Sequence, residues 1–575
     1  MFDVIHQLLY RSGYTPLEYL RKVPRNRVIL CRCKWWSFTV ILVGTPVERQ
    51  ASVGEIRMVS KGTNFGLTVA QPDAPEPWFT LAILLAAVAA YLYRNLFIAR
   101  ATPVLLSGDQ LFFWMNGQRM LHGELPYRDF FQFTPPGADV FYFLIFKIFG
   151  PEIWVVNGVV VLLGIVLCWV CFEIARAIMH RGAAVLSSCL FVVLIYSRLL
   201  NATHHWFSVL AIMTAVAILM RGIDARKLAL AGALLGIACF FTQTHGVVAL
   251  AAVSIFLKNY RTGTPGHESF WKNERTLLAG FLVAVLILNA YFVATVGLGR
   301  LFYYQVYYVL RVMVHRPETR LLGMPEIADW RLQSHVSLIY EYAQFTFVYV
   351  MLPVCYLFAL RRSWRKSGEF GTQRPDVALL ALVGASLLLE LVFSLNWLRV
   401  YAVSMAGIIL FVWLLDQVDR RRYCVSVVWF AVLSMAVQRV WTAQTSSNMI
   451  AELPAGTCSV QPAESVKLTW LVQRTKPGDF LFEAGWPGVY IPLELRNPVF
   501  LDTASTMLNP QWAQWVVQGL EARQVRYVLW ADRLNYPPDP RHPVTTRIAP
   551  LRDYLHAHYQ RARIFPDGEE AWERK

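Results

Sequence analysis

Residues Ser107 to Gly150 read SGDQLFFWMNGQRMLHGELPYRDFFQFTPPGADVFYFLIFKIFG, and the topology of the whole chain turns on the last third of that stretch. Gly137–Phe149 is apolar, but as a helix rising about 1.5 Å per residue it reaches only about 20 Å, short of the ~30 Å hydrocarbon core of a bilayer. It is therefore expected to lie in the membrane interface. Counting it as a span would invert every later segment and move the basic loops to the opposite side.

Outward from this stretch, long apolar segments occupy 78–98, 153–175, 183–198, 203–220, 228–241, 246–258, 276–296, 336–360, 377–395, 398–416 and 423–441. These eleven segments are expected to be membrane helices, which makes the chain an α-helical polytopic membrane protein. The stretch 228–258 is interrupted by Thr242, Gln243, Thr244 and His245 and is expected to form a hairpin of two short helices with a polar vertex. With the N-terminus inside, the cytoplasmic loops hold Arg176/Arg181, Arg221/Arg226/Lys227, Lys258/Arg261/Lys272/Arg275, Arg361/Arg362/Arg365/Lys366/Arg374 and Arg420/Arg421/Arg422. That is the distribution the positive-inside rule requires.

Composition agrees. Of 575 residues 56% are apolar and 16% charged, where a soluble domain carries about a quarter charged residues. This excludes a disordered chain and a single soluble domain. The excess of 54 Lys and Arg over 38 Asp and Glu, net +16, sits in short clusters between apolar segments. Clusters of that kind suit loops beside anionic membrane lipid and argue against a nucleic-acid partner.

The two ends differ from the middle. Residues 1–77 contain RKVPRNRVILCRCKWW and then a polar Gly/Pro stretch, and are expected to be a poorly ordered cytoplasmic lead, with Met58 as an alternative start. Cys31 and Cys33 have no matching pair for a zinc site. Residues 442–575 are expected to form a small extracytoplasmic α/β domain. Its expected strands are Asp479–Glu483 and Val525–Trp530, its helices about 509–523, with Asn509 as cap and Pro510 in the first turn, and about 550–560. It shows no Gly-rich phosphate loop, nucleophile elbow or metal spacing, so it is read as an accessory or acceptor-facing domain.

Chemistry is concentrated in the first outer loop, 99–152. A short helix is expected over 109–121, broken at His122-Gly123 and followed by Pro126-Tyr127-Arg128-Asp129 and Pro135-Pro136. The loop resembles the first outer loop of polyprenol-dependent glycosyltransferases of the GT-C superfamily, in particular the bacterial relatives of protein O-mannosyltransferases. The resemblance rests on Asp109 after the first span, on Gly123-x-x-Pro126-Tyr127-x-Asp129, on Pro135-Pro136 and on Phe149-Gly150. In layout it covers 78–440, in motif 107–150. Asp109-Gln110 replaces the family's frequent Asp-Glu, and Thr134 stands where a basic residue often precedes the proline pair. The second acidic residue is then Asp129, or the site works with one carboxylate. Use of a divalent metal, which varies across the superfamily, stays open.

The resemblance implies transfer of a sugar from a polyprenyl phosphate to an unknown acceptor on the outer face; the protein is expected to be multi-pass in the bacterial inner membrane, and the charge distribution puts its C-terminus outside. Such a transfer needs a base near the acceptor and cations near the departing phosphate. Asp109 suits the base, with Asp129 the second catalytic candidate. Arg399 in Trp397-Leu-Arg399-Val-Tyr401 suits the phosphate, with Tyr401 beside it, and Arg311 and Arg316 are further candidates. Arg128, Gln243 and His245 complete the substrate-contact set. Each has a structural alternative: Ser107-Gly-Asp109-Gln110 also reads as a capping box, Arg128-Asp129 as a loop ion pair, His204-His205 as packing residues, and Arg399 as a snorkelling anchor. A transporter or flippase of lipid-linked saccharide is the rival reading. Against it, no clear internal repeat is found, and the polar residues collect at the outer ends of spans.

Overall fold

The computed structural model describes residues 77–98, 101–259, 270–313, 335–363, 375–394, 396–418, 420–507, 510–535 and 546–575. The expectations for residues 1–76, for Arg316, for Asn509 and for the basic cluster at 365–374 lie outside the described residues.

Each of the eleven apolar segments is built on helix. In chain order the helices are α1 Pro77–Leu96, α2 Gln110–Leu121, α3 Gly137–Phe149, α4 Ile153–Ile178, α5 Arg181–Leu190, α6 His204–Leu219, α7 Ala225–Phe241 and α8 Gln243–Asn259. They continue with α9 Phe270–Val296, α10 His335–Ser363, α11 Pro375–Glu390, α12 Trp397–Ala402, α13 Met405–Leu415 and α14 Arg421–Gln444. Among the described residues, six helical stretches are long and apolar enough to cross a membrane: 78–96, 153–178, 181–199, 270–296, 342–363 and 421–444.

The other five segments fall short for identifiable reasons. α6 has 16 residues, α11 has 16 and passes into a short 3₁₀ turn over Leu391–Ser394, and α7 and α8 have 17 each, about 25 Å at the usual rise. The segment 398–416 is divided. Asn396 caps α12 by accepting from the Leu398 amide at 2.9 Å, and the helix stops at Val403 before α13 begins. Ser404, at the break, is buried and donates its hydroxyl to the Tyr401 carbonyl at 2.7 Å.

The expected hairpin is present. Its vertex is the single extended residue Thr242 between α7 and α8. Gly246 lets the two helices close: a Cβ there would stand 2.5 Å from the Cys239 nitrogen and 2.6 Å from the Leu235 oxygen. α3 has the bounds expected of it and is two-faced. Ala138, Asp139, Tyr142 and Phe146 are buried, while Leu144, Ile148 and Phe149 are exposed, the pattern of a helix packed on one side only.

Strands β1 Phe97–Ile98 and β2 Thr102–Pro103 form a short antiparallel pair after α1. The region after α14 starts with an antiparallel hairpin, β3 Met449–Leu453 and β4 Gly456–Val460, then α15 Pro462–Val472. A four-stranded sheet follows in the order β5-β6-β8-β7, with β5 Leu481–Glu483, β6 Tyr527–Trp530, β7 Tyr559–Ile564 and β8 Glu570–Arg574. β5 and β6 pair in parallel and the rest antiparallel. Helices Pro510–Ala522 and Ala549–His558 pack beside it around Trp512, Val516, Leu551 and Leu555.

This region is stitched to the loop between α1 and α4. Val104 bridges to Ser459, the Phe131 amide donates to the Phe500 carbonyl at 2.7 Å, and Arg119 Nη1 donates to the Val499 carbonyl at 2.9 Å. Trp486 Nε1 donates to the Gly108 carbonyl at 3.2 Å. The first loop and the C-terminal region therefore lie on one side of the helical bundle.

Candidate active site

Gly108 takes φ +104, a conformation open to glycine at little cost, and turns the chain so that Asp109 begins α2. Asp109 makes no side-chain capping bond. Gln110 Nε2 instead donates to the Ser107 carbonyl at 2.5 Å, so the side chains of Ser107 and Gln110 do not form the capping box that their spacing allows. The helix is held from two sides: Phe112 meets Trp486 edge-on at 4.8 Å and Phe113 meets His204 at 5.3 Å. Burial pushes the Asp109 carboxyl above the usual carboxylate range, and the charge of Arg399 opposes the shift.

Arg399 stands on α12 within electrostatic reach of two carboxylates, Glu390 and Asp109. Glu390 is the last residue of α11. Its Oε2 lies 3.4 Å from His245 Nε2, and His245 Nδ1 lies 2.8 Å from the Ser208 hydroxyl. His204 Nδ1 is 2.9 Å from the Thr242 hydroxyl at the hairpin vertex. His205 lies between them with its ring tilted, 3.9 Å from the His204 ring and 5.4 Å from the His245 ring, with its Nδ1 buried and without a hydrogen-bond partner. α2, α6, the α7–α8 vertex, α11 and α12 thus bring Asp109, His204, His205, His245, Glu390 and Arg399 into one cluster.

The other expected residues stand as follows. Tyr401 is buried, packed against Phe345 at 5.6 Å and Trp397 at 6.0 Å. Gln243 Nε2 donates to the Gln305 carbonyl at 3.0 Å, and Gln305 Nε2 to the Tyr127 hydroxyl at 3.0 Å, so Gln243 ties the vertex to the first loop. Arg311 is exposed at the end of the π-helical stretch Tyr303–Met313, 6.0 Å from the Tyr307 ring. Arg128 and Asp129 pair at 2.7 Å on the loop surface. The Asp129 carboxylate also accepts from the Leu125 amide at 2.8 Å. Its recorded bonds are therefore local ones that close the turn Leu125–Asp129. Partial burial works to raise the Asp129 pKa, but these bonds hold it below the ordinary value.

Sequence reading passed over two members. Glu390 is the single acidic residue of an otherwise apolar segment, and such a residue at the end of a span is by itself a signal. Arg198 lies over the Phe345 ring at 5.4 Å and the Trp397 ring at 5.9 Å, placing a second guanidinium beside α12. Among the described residues, no group of three or more His, Cys, Asp and Glu side chains is arranged to hold a metal ion.

Residues 134–292 match the model of a family described as dolichyl-phosphate-mannose-protein mannosyltransferase. No curated protein matches the chain by sequence. Among solved structures, ArnT from Cupriavidus metallidurans in the apo state is 11% identical with a TM-score of 0.55, covering 86% of this chain and 97% of that one. The same protein bound to undecaprenyl phosphate is 12% identical with a TM-score of 0.53, covering 87% and 98%. An Archaeoglobus fulgidus oligosaccharyltransferase tethered with an acceptor peptide is 12% identical with a TM-score of 0.49, covering 87% and 74%. At these identities it is the fold that is established. The chain has the fold of GT-C glycosyltransferases, as the loop motifs imply.

Proposed function

We propose that this protein is an integral-membrane glycosyltransferase that moves a sugar from a polyprenyl-phosphate donor to an acceptor on the outer face of the membrane. The observation that carries the reading is the state of Asp109: a carboxylate at a helix start that caps nothing and faces the charge of Arg399. An acceptor hydroxyl or amine at this point gives its proton to Asp109 as its oxygen or nitrogen bonds the anomeric carbon. The bond from that carbon to the phosphate oxygen breaks, and the phosphate leaves with the electron pair. Arg399 meets the charge that develops there, in a site shielded enough for the interaction to count. Glu390 keeps Arg399 compensated before the donor arrives, and His245 keeps Glu390 in place. Asp129, with Arg128, shapes the loop that carries this machinery, and Gln243 holds the α7–α8 vertex to it through Gln305. With the C-terminal region outside and joined to the first loop through Trp486, that region would face the acceptor.

Asp109→Asn tests the assignment. With no capping bond to lose, expression and thermal stability should be unchanged, while loss of a general base should slow transfer about 100- to 10,000-fold. Donor binding should persist in Asp109→Asn and weaken in Arg399→Ala. Near wild-type transfer by purified Asp109→Asn with a polyprenyl-phosphate sugar would remove Asp109 from the mechanism.

A further inference from the structure

On the flank of the bundle, α6 floors a groove of about 440 Å³ walled by α4 and α7. It begins at Phe207 and Phe241, next to the histidine cluster, and runs toward Arg221, past Trp169, Leu210 and Leu234. From Phe207 to Ile218 α6 rises about 17 Å, more than half the thickness of a hydrocarbon core. At its far end the groove shares Glu173, Ala217 and Arg221 with a second depression of about 260 Å³. There the lining changes character. The charged side chains of the two cavities, Glu173, Arg176, Arg181 and Arg221, are all gathered at that end. Glu173 is contacted by both Arg176, at 2.8 Å, and Arg221, at 2.5 Å. One negative charge is thus shared by two cations, which leaves the mouth positive.

A long apolar channel that ends in a positive mouth matches one kind of molecule. We propose that this groove is a binding site for an anionic phospholipid, with the phosphate head at Arg176 and Arg221 and one acyl chain running along α6 toward Phe207. The tail of the donor lipid would fill the apolar length but bring only hydrocarbon to Arg176 and Arg221, leaving the charge in excess of Glu173 unmet. An anionic head group meets it, and clustered basic residues at a membrane surface attract such heads. The site stands apart from Asp109 and Arg399 and does not depend on the reaction proposed for them.

The test uses the full-length protein, purified in detergent and stripped of lipid, with retained lipid counted by native mass spectrometry. Phosphatidylglycerol should be retained over phosphatidylcholine by about fivefold, the scale set by the one net basic charge that Arg176 and Arg221 leave beside Glu173. Arg176→Gln/Arg221→Gln should abolish the preference. Thr214→Trp, which fills the groove and leaves the arginines in place, should cut phosphatidylglycerol retention severalfold, so the proposal does not rest on the charge variant alone. Equal retention of the two lipids, or a preference untouched by both variants, would overturn it. So would glycerol 3-phosphate displacing the lipid, which would mark a free-phosphate site, or an equimolar polyprenyl phosphate displacing it, which would mark a donor-tail groove.

Discussion

His245 meets Glu390 across the bundle, Nε2 to Oε2 at 3.4 Å, joining the vertex of the α7–α8 hairpin to the end of α11. Through Glu390 the contact reaches Arg399, so a histidine outside the first loop is tied to the cation assigned to the donor phosphate.

Glu390→Gln should therefore lower transfer about tenfold or more while the protein still folds, and His245→Ala should act through the same contact. In a double-mutant cycle the two losses should be coupled by about 0.5–3 kcal/mol, as for side chains in one network. Strictly additive losses would show that the contact plays no part in transfer.

The pH profile should report Asp109. Its carboxyl is raised by burial and lowered by Arg399, and a base acts only when deprotonated. Single-turnover rates should thus rise with pH along a limb above the ordinary aspartate value of about 3.9. Arg399→Gln removes the opposing cation and should move that limb to higher pH. A downward movement would contradict the pairing.

A second acid should govern stability. Asp139 on α3 is buried, accepts from Gln132 at 2.7 Å and Asn116 at 3.1 Å, and is pushed by burial to about 7. Between the unfolded value of about 3.9 and that folded value the native state holds the extra proton, so this group's contribution to stability falls as pH rises through the window. Asp139→Asn should flatten the pH dependence of the melting temperature there. An unchanged slope would show that Asp139 does not cause it.

Topology is open to reporter fusions. The first loop and the C-terminal region touch, so fusions after Gly150 and after Trp441 should report the same side, and a fusion after Lys366 the other. Agreement of all three would sink the eleven-span arrangement.

How much of this was legible depends on whether a residue's partner lies nearby in the sequence. The helices were legible because apolar runs and breakers such as His122-Gly123 and Thr242 act locally. The break at Val403–Ser404 was not, because Ser404 satisfies itself on Tyr401 and leaves no polar gap in the run. Strands β5 and β6 are short and buried and could be read, whereas β7 is exposed along nearly its whole length and β8 mixes Glu and Arg with its apolar residues. Asp109 stood out because its motif surrounds it. Glu390 and Arg198 did not, since their meaning comes from His245, Arg399, Phe345 and Trp397, all distant in the chain except Arg399.

The seam from Val104 to Ser459, Arg119 to Val499 and Trp486 to Gly108 bears on how such proteins can be recombined. Exchanging only the part after residue 449 with that of another member of the fold would leave the turn ahead of Asp109 without its indole donor and Arg119 without its carbonyl. A transplant that keeps the donor site alive has to carry 97–133 along with 449–574 as one cassette. If the proposed function holds, acceptor preference and the position of the base would be inherited together, and a new acceptor would be reached by changing residues within the seam rather than by swapping what lies beyond it.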